Sequence, residues 1–217
     1  MKYSCAEESL CDTIPAPPVE LIAFRGLPGS GKTTAIANLK ACRPNVRVVS
    51  MDDECRSELG RLPKCEADEE VGRVRLRKLA GHLLKKGVDV IVDDMNLKEE
   101  SLDLLVVSAK SLDAEFIVID MWQEYLRQFT ATTINSGTGL YDSWIELCIA
   151  RDAERVKEDD ARVEIGRGLI SGWGATYESL LTDGTRHSST PLESVTRKPP
   201  SVPSDAHTRL RRLYPER

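Results

Sequence analysis

The stretch ELIAFRGLPGSGKTT, residues 20–34, decides the fold of this chain. Its first six residues form a short apolar run before turn-forming residues, which predicts a buried parallel β-strand. From Gly26 to Thr33 it fits the pattern G-x-x-x-x-G-K-[ST] at every fixed position. Apolar residues at helical spacing continue to Ala41, and Pro44 ends this helix. A strand, a glycine-rich turn and a helix in this order are the context in which the pattern binds phosphate groups.

The glycine-rich turn predicts a site for ATP and Mg²⁺. Glycine permits backbone angles that point successive N–H groups inward, so that they act together with the N-terminus of the next helix on the phosphates. We expect Lys32 to reach the β- and γ-phosphate oxygens and the Thr33 hydroxyl to bind Mg²⁺. The residues predicted to bind ATP are Gly26, Pro28, Gly29, Ser30, Gly31, Lys32, Thr33 and Thr34.

Strands and helices alternate along the rest of the chain, and the pattern is helical from Asp142 onward. Together with the glycine-rich turn, this alternation predicts an α/β fold of the P-loop NTPase class: a parallel sheet flanked by helices, with the ligand site at the carboxyl ends of the strands. The later helices predict a lid at about 142–180. The further predicted strands are 47–50, 88–92 and 115–121, and the further predicted helices are 52–59, 66–86 and 98–110.

A length of 217 residues suits one α/β domain with appendages. We predict a flexible arm at 1–19, the P-loop domain at 20–180, and a flexible basic tail at 181–217, where five prolines and few large apolar residues disfavour a packed core. The whole chain has a net charge of −5, although residues 185–217 carry seven Lys or Arg against three acids. The remaining body is therefore acidic, which argues against a broad duplex-binding face.

No segment of the sequence is predicted to cross a membrane, because the longest apolar runs are far too short. The N-terminus lacks the basic-then-apolar order of a secretion signal, so a cytoplasmic location without a membrane partner is expected. The six cysteines form no C-x-x-C pair and are expected to be reduced thiols.

Acidic residues follow the second predicted strand, at the end of the sheet that faces the phosphates. Asp53 could accept the proton of an attacking hydroxyl, and Arg56, one turn further along, could hold an acceptor phosphate or the carboxylate. The alternative interpretation is that Asp53 caps the N-terminus of the following helix.

Two further segments carry candidate site residues. The strand ending at Val92 is followed by Asp93, Asp94 and Asn96. One of the two acids, which the sequence does not distinguish, could organise Mg²⁺ or nearby basic groups. The alternative for that same acid is a capping role together with Asn96. Arg151 and Arg155 lie four apart on one predicted helix and could neutralise a transferring phosphoryl group, or they belong to a solvated face.

These four elements together resemble the phage and bacterial polynucleotide 5′-hydroxyl kinases and the wider group of P-loop small kinases that includes zeta toxins. The resemblance covers roughly residues 20–180 and implies the kinase type of the P-loop fold. The G-x-P-G-S-G-K-[ST] loop of that family is followed by D-x-x-R, matched by Asp53 and Arg56, and by a strand ending in D-x-x-N or D-x-N. The sequence satisfies both variants, through Asp93 or Asp94 with Asn96. The R-x-x-x-R of the family's lid is matched by Arg151 and Arg155.

The resemblance implies roles for these residues. Asp53 is implied as the general base, with Mg²⁺ in reach through water, and Lys32, Arg151 and Arg155 as catalytic groups on the donor phosphates. Arg56 is implied as a ligand of the acceptor, with Asp94 and Asn96 beside it. The stretch 122–141 is longer than the family's usual connection and has no clear register, which suggests an acceptor-specific insertion.

The implied activity is an ATP-dependent kinase acting on a hydroxyl of a nucleic acid, by default the 5′-hydroxyl of DNA or RNA, on a single strand or at an end. A hydroxymethylated base in DNA, as among phage kinases of similar appearance, is an alternative acceptor. A small molecule such as a nucleotide sugar or antibiotic is another, and the acidic body favours it. A nucleotide switch or hydrolase, with water as acceptor, is the alternative from a different functional class.

Overall fold

The computed structural model describes residues 18–129, 139–158, 165–183 and 189–197. Almost all of the predicted arm, residues 130–138 of the expected insertion and most of the predicted tail therefore lie outside the described residues. Within the described ranges, no helix is both long and apolar enough to span a membrane.

The described residues form strands and helices in near-strict alternation at first, followed by helices alone. The strands are β1 (Glu20–Arg25), β2 (Arg47–Ser50), β3 (Val90–Asp93) and β4 (Glu115–Asp120). The helices are α1 (Lys32–Cys42), α2 (Met51–Leu59), α3 (Glu66–Lys85), α4 (Glu99–Lys110), α5 (Met121–Phe129), α6 (Gly139–Glu158), α7 (Arg167–Asp183) and α8 (Leu192–Arg197).

The four strands form one parallel sheet in the order β2-β3-β1-β4. All six residues of β1 are buried, because strands flank it on both sides and helices cover both faces. Its side chains alternate between two apolar cores: Ile22 and Phe24 lie in the core beneath α1 and α6, and Leu21 and Ala23 lie in the core beneath α3 and α4. The predicted α/β fold of the kinase-type P-loop class is confirmed.

Strand β3 begins two residues later than the sequence predicts and includes Asp93. The N–H of Val88 donates to the carbonyl of Leu83 at 3.2 Å and closes the turn after α3, so it is not free to join the sheet. The neighbouring Asp89 is buried and accepts a 2.5 Å hydrogen bond from Arg43, the residue that ends α1. Tertiary pairing at this end of the sheet therefore sets the strand boundary.

Helix α5 begins at Met121, which the sequence analysis placed at the end of the predicted strand 115–121, and continues into the stretch for which it assigned no element. The carboxylate of Asp120 accepts hydrogen bonds from the N–H groups of Trp122 at 2.9 Å and Gln123 at 3.2 Å, which caps the start of this helix. Met121 and Tyr125 pack toward the core at helical spacing, a signal that was present in the sequence.

The prediction of an unpacked tail is wrong for residues 189–197. The N–H of Thr190 donates to the carbonyl of Val118 at 2.7 Å, and the N–H of Asp120 donates to the Ser189 hydroxyl at 3.2 Å. Helix α8 packs against α1 and buries Val195, which is 2% exposed. The reason is that the outer edge of β4 needs hydrogen-bond partners, which this distant segment supplies.

Candidate active site

The loop between β1 and α1 has the backbone that the P-loop pattern requires. Gly29 and Gly31 have φ angles of +73° and +96°, in the left-handed region that side-chain-bearing residues rarely adopt. Gly31 is the N-cap of α1, and no side chain caps this helix. The N-terminus of α1 is therefore left for an anionic ligand, as phosphate binding at a helix N-terminus demands.

Lys32 lies over this loop. Its Nζ donates to the carbonyl oxygens of Gly26 at 2.8 Å and Leu27 at 3.0 Å. Burial lowers the pKa of its ammonium group, while the nearby carboxylates of Asp93 and Asp94 act in the opposite direction. Burial removes the water that stabilises the ammonium charge, and the negative oxygens of a bound phosphate would stabilise it instead.

The acids after β3 have different surroundings. Asp93 is half-buried, and burial raises the pKa of its carboxyl, whereas Lys32 acts to lower it. Asp94 is buried and accepts hydrogen bonds from Arg73 Nε at 3.2 Å and from the N–H of Met95 at 2.7 Å. Asp93 is thus the acid more strongly coupled to the P-loop lysine, and Asp94 is held by an arginine of α3.

Asn96 is buried and braces the end of β1. Its Nδ2 donates to the carbonyl of Phe24 at 2.8 Å, and its φ of +49° lies in the left-handed region that asparagine tolerates. The N–H of Gly26 donates to the carbonyl of Met95 at 3.0 Å next to it. The structure therefore places Asn96 beneath the P-loop, buried and bonded to backbone, whereas Asp53 and Arg56 are exposed.

Asp53 and Arg56 lie on α2 and form an ion pair at 2.9 Å, with 72% of the Asp53 side chain and 46% of the Arg56 side chain exposed. Ser50 is the N-cap of α2, so Asp53 does not occupy the cap position. The carboxylates of Asp52 and Asp53 both raise the pKa of Asp93, and Asp52 does so more strongly. Ser50, the residue before α2, pairs with Asp93 across β2 and β3, so α2 starts beside the strand end that carries Asp93.

Helix α6 of the lid brings two arginines to the P-loop. Arg151 is exposed, and its Nη1 lies 3.7 Å from the position that a Cβ on Gly31 would occupy. Arg155 acts to lower the pKa of Lys32 and donates to the buried carboxylate of Asp152 at 2.7 Å. Asp152 also accepts the N–H of Ile165 at 3.0 Å, which joins the end of α6 to the chain entering α7.

Helix α6 also packs directly on the loop. A Cβ placed on Gly29 would lie only 2.1 Å from the carbonyl oxygen of Cys148. Burial raises the pKa of the Cys148 thiol to about 12, so this cysteine is protonated and unsuited to nucleophilic chemistry. The P-loop thus has Arg151 beside Gly31, and Asp93 and Arg155 near enough to Lys32 to act on its charge.

Mg²⁺ would be held in such a site by few protein groups. Within the described ranges, no group of three His, Cys, Asp or Glu side chains forms a metal cluster. The exposed Thr33 hydroxyl at the start of α1 and the Asp93 carboxylate are hard oxygen donors on the phosphate side. This donor set fits a magnesium ion that keeps several waters and binds the nucleotide phosphates.

The sequence analysis missed a buried polar cluster behind the P-loop. Arg25 and Asp120 are the last residues of β1 and β4, and Tyr177 of α7 lies against both. An arginine in an apolar strand and an acid at a strand end were visible signals. Their partners, however, are distant in sequence.

Comparisons with known proteins agree with this architecture. Residues 21–125 match the model of a family described as AAA domain. No curated protein sequence matches the chain significantly. Among solved structures, a chain of the Pnkp1/Rnl/Hen1 RNA repair complex matches with a TM-score of 0.60 at 18% identity, over 80% of this chain and 48% of that chain.

The chain is also similar to two other solved structures, a sugar kinase from Janibacter sp. HTCC2649 and the APS kinase CysC from Mycobacterium tuberculosis. The first has a TM-score of 0.49 at 16% identity, over 82% of this chain and 91% of that one. The second has a TM-score of 0.43 at 23% identity, over 48% of this chain and 63% of that one. The present chain spans about half the length of the RNA-repair chain that it matches. The fold and the phosphate-binding loop define an α/β protein of the P-loop class, with a fold of the kinase type.

Proposed function

We propose that this protein is an ATP-dependent phosphotransferase that transfers the γ-phosphate to a hydroxyl of a nucleic acid, with the 5′-hydroxyl end of DNA or RNA as the default acceptor. The observation that carries the proposal is that Lys32, Asp93 and Arg151 all lie at the P-loop. Beside them, Asp53 and Arg56 are exposed on α2. The first group suits the donor phosphates, and the second suits an acceptor.

On the donor side, the loop N–H groups and Lys32 bind the phosphates of ATP, and the lid arginines Arg151 and Arg155 offset the charge that develops on the transferring group. Mg²⁺ supplies further charge compensation when it is bound with the nucleotide. Asp152 keeps Arg155 on the P-loop side of the lid through their 2.7 Å hydrogen bond.

On the acceptor side, Asp53 is the proposed general base. Its carboxylate is largely exposed, so an incoming hydroxyl can reach it, and it lies on the side of the sheet where the phosphates bind. Arg56 is the proposed ligand of an acceptor phosphate. Because it is paired with Asp53 at 2.9 Å, an acceptor phosphate that draws Arg56 away would also free the base.

The charged residues of α3 and of the loop before it limit how an acceptor can be bound. Four arginines of α3 and the preceding loop are each paired with an acid, so they do not form a continuous basic face. The pairs are Arg61 with Asp68, Arg73 with Glu69 and Asp94, Arg75 with Glu54 and Glu58, and Arg77 with Glu70. This arrangement favours contact with one terminal nucleotide. It also favours the second candidate function, phosphorylation of a small-molecule hydroxyl.

The test is incubation of the full chain with γ-labelled ATP and Mg²⁺ in the presence of separate acceptors: 5′-hydroxyl DNA, 5′-hydroxyl RNA, base-hydroxymethylated DNA, nucleosides and sugars. We expect label on the 5′ ends and none with Lys32→Ala. Label on a base or a small molecule would replace the proposed acceptor. Release of labelled phosphate with no labelled acceptor would overturn the proposed transfer to a hydroxyl.

A further inference from the structure

Behind the P-loop, two strand ends carry buried opposite charges. Arg25, at 0% exposure, immediately precedes the loop glycine Gly26, and Asp120, at 3% exposure, ends the neighbouring strand in register with it. Charged side chains are rarely buried at this depth unless they are paired. Their contacts therefore matter for the geometry of the loop.

The partners of Arg25 come from the connection after β3 and from the lid. Its Nε donates to the carbonyl of Asn96 at 3.2 Å, and its guanidinium donates to the carboxylate of Glu99. Its guanidinium carbon lies 5.6 Å from the centroid of the Tyr177 ring, within the range of a cation–π interaction. Arg25 thus joins the base of the P-loop to the segment that follows the phosphate-side acids.

The Tyr177 hydroxyl donates to Oδ2 of Asp120, while Oδ1 of Asp120 caps α5. Burial raises the pKa of both groups, so the phenol stays protonated and remains a donor. Tyr177 belongs to α7, and α7 is held against α6 by several contacts: Arg167 donates to Glu146 at 2.8 Å, Ile145 packs beside Gly174, and the Tyr141 hydroxyl donates to the carbonyl of Gly174 at 2.7 Å. The hydrogen bond of Tyr177 to Asp120 therefore acts, through α7, on α6, the helix that carries Arg151.

We propose that Tyr177 is a positioning residue for phosphoryl transfer: through Arg25 and Asp120 it sets the position of the lid helices relative to the P-loop. This proposal rests on the proposed phosphotransferase function. A buried polar cluster of this kind is often no more stabilising than apolar packing of the same volume, so a geometric role accounts for its presence better than stability does.

The test compares Tyr177→Phe with Tyr141→Phe in the full chain. Each variant loses one buried hydroxyl that makes one hydrogen bond. Of the two bonds, only that of Tyr177 joins the lid to the sheet, whereas that of Tyr141 joins α6 to α7, which the Arg167–Glu146 ion pair still connects in Tyr141→Phe. We expect Tyr177→Phe to lower turnover roughly tenfold to a hundredfold with an almost unchanged KM for ATP, since displacement of catalytic groups by about 1 Å has effects of this size. Tyr141→Phe is expected to show a similar loss of melting temperature and a much smaller loss of turnover.

A second measurement separates this proposal from the proposed function. Hydrogen exchange of the α6 amides is followed with and without a non-hydrolysable ATP analogue and Mg²⁺. We expect the analogue to protect α6 in the wild type and in Tyr141→Phe, and to protect it less in Tyr177→Phe. Equal protection in both variants would overturn the positioning role. Absence of transfer by the wild type, with this difference in protection present, would overturn only the proposed function.

Discussion

Substitution of Gly29 by alanine tests the close packing of the lid on the P-loop. Two effects follow from the structure. The φ angle of +73° costs a side-chain-bearing residue roughly 1–2 kcal/mol. The new Cβ would also lie 2.1 Å from the carbonyl oxygen of Cys148, whereas ordinary contact begins at 3.4 Å. The Cβ is fixed rigidly by the loop backbone and the oxygen belongs to the backbone of α6, so α6 must move away from the loop by about 1.3 Å in a close-packed interior.

That displacement carries Arg151 and Arg155 away from the phosphates. We expect turnover of Gly29→Ala to fall roughly a hundredfold, the size of effect that a 1 Å misplacement of catalytic groups produces. The backbone strain alone should lower the melting temperature by about 2–8 °C in a chain of this length. The assay is steady-state phosphate transfer, measured together with thermal unfolding.

Gly60→Ala is the matched control. Gly60 has a φ of +68°, and nothing lies within 4 Å of the Cβ it would gain. This variant should show the same order of loss in melting temperature with full turnover. If Gly29→Ala keeps turnover within a few-fold of Gly60→Ala, the position of α6 does not control transfer, and the reasoning from the Cys148 contact is wrong.

Three other predictions follow from the site and the fold. Asp53→Asn should lower turnover roughly a hundredfold or more with little change in nucleotide affinity, and a loss confined to Asp52→Asn would assign the base to Asp52. A chain ending before Ser189 should melt several degrees lower than one ending at Arg197, because it loses the burial of Val195, and equal melting temperatures would contradict the packing of α8. Asp93→Asn should lose turnover yet raise the melting temperature of the nucleotide-free protein at neutral pH. Because the pKa of Asp93 is raised in the folded state, its ionised form opposes folding, and the gain should vanish near about pH 3, where the carboxyl is protonated in both states.

The sequence alone determined the features that depend on neighbouring residues. The strand-turn-helix unit around Gly26–Thr33 was predictable because left-handed glycines, an apolar run and helical spacing act over a few residues. The alternation of strands and helices then fixed the parallel sheet and the edge at which its ligand site lies. Helix α5 was also within reach of the sequence, since its apolar residues repeat at helical spacing.

Tertiary structure decided which side chains meet at that edge. Asp93 and Asp94 are adjacent and chemically identical, so only the positions of Lys32 and Arg73 distinguish them. The Tyr177–Asp120 hydrogen bond joins residues 57 apart in the chain, and no local pattern specifies such a pair. The pairing of residues 189–190 with β4 depends likewise on a sheet edge that the segment's own composition does not reveal. The packing of the whole fold selects contacts of this kind, because a buried hydrogen-bonding group is satisfied only if the fold places its partner next to it.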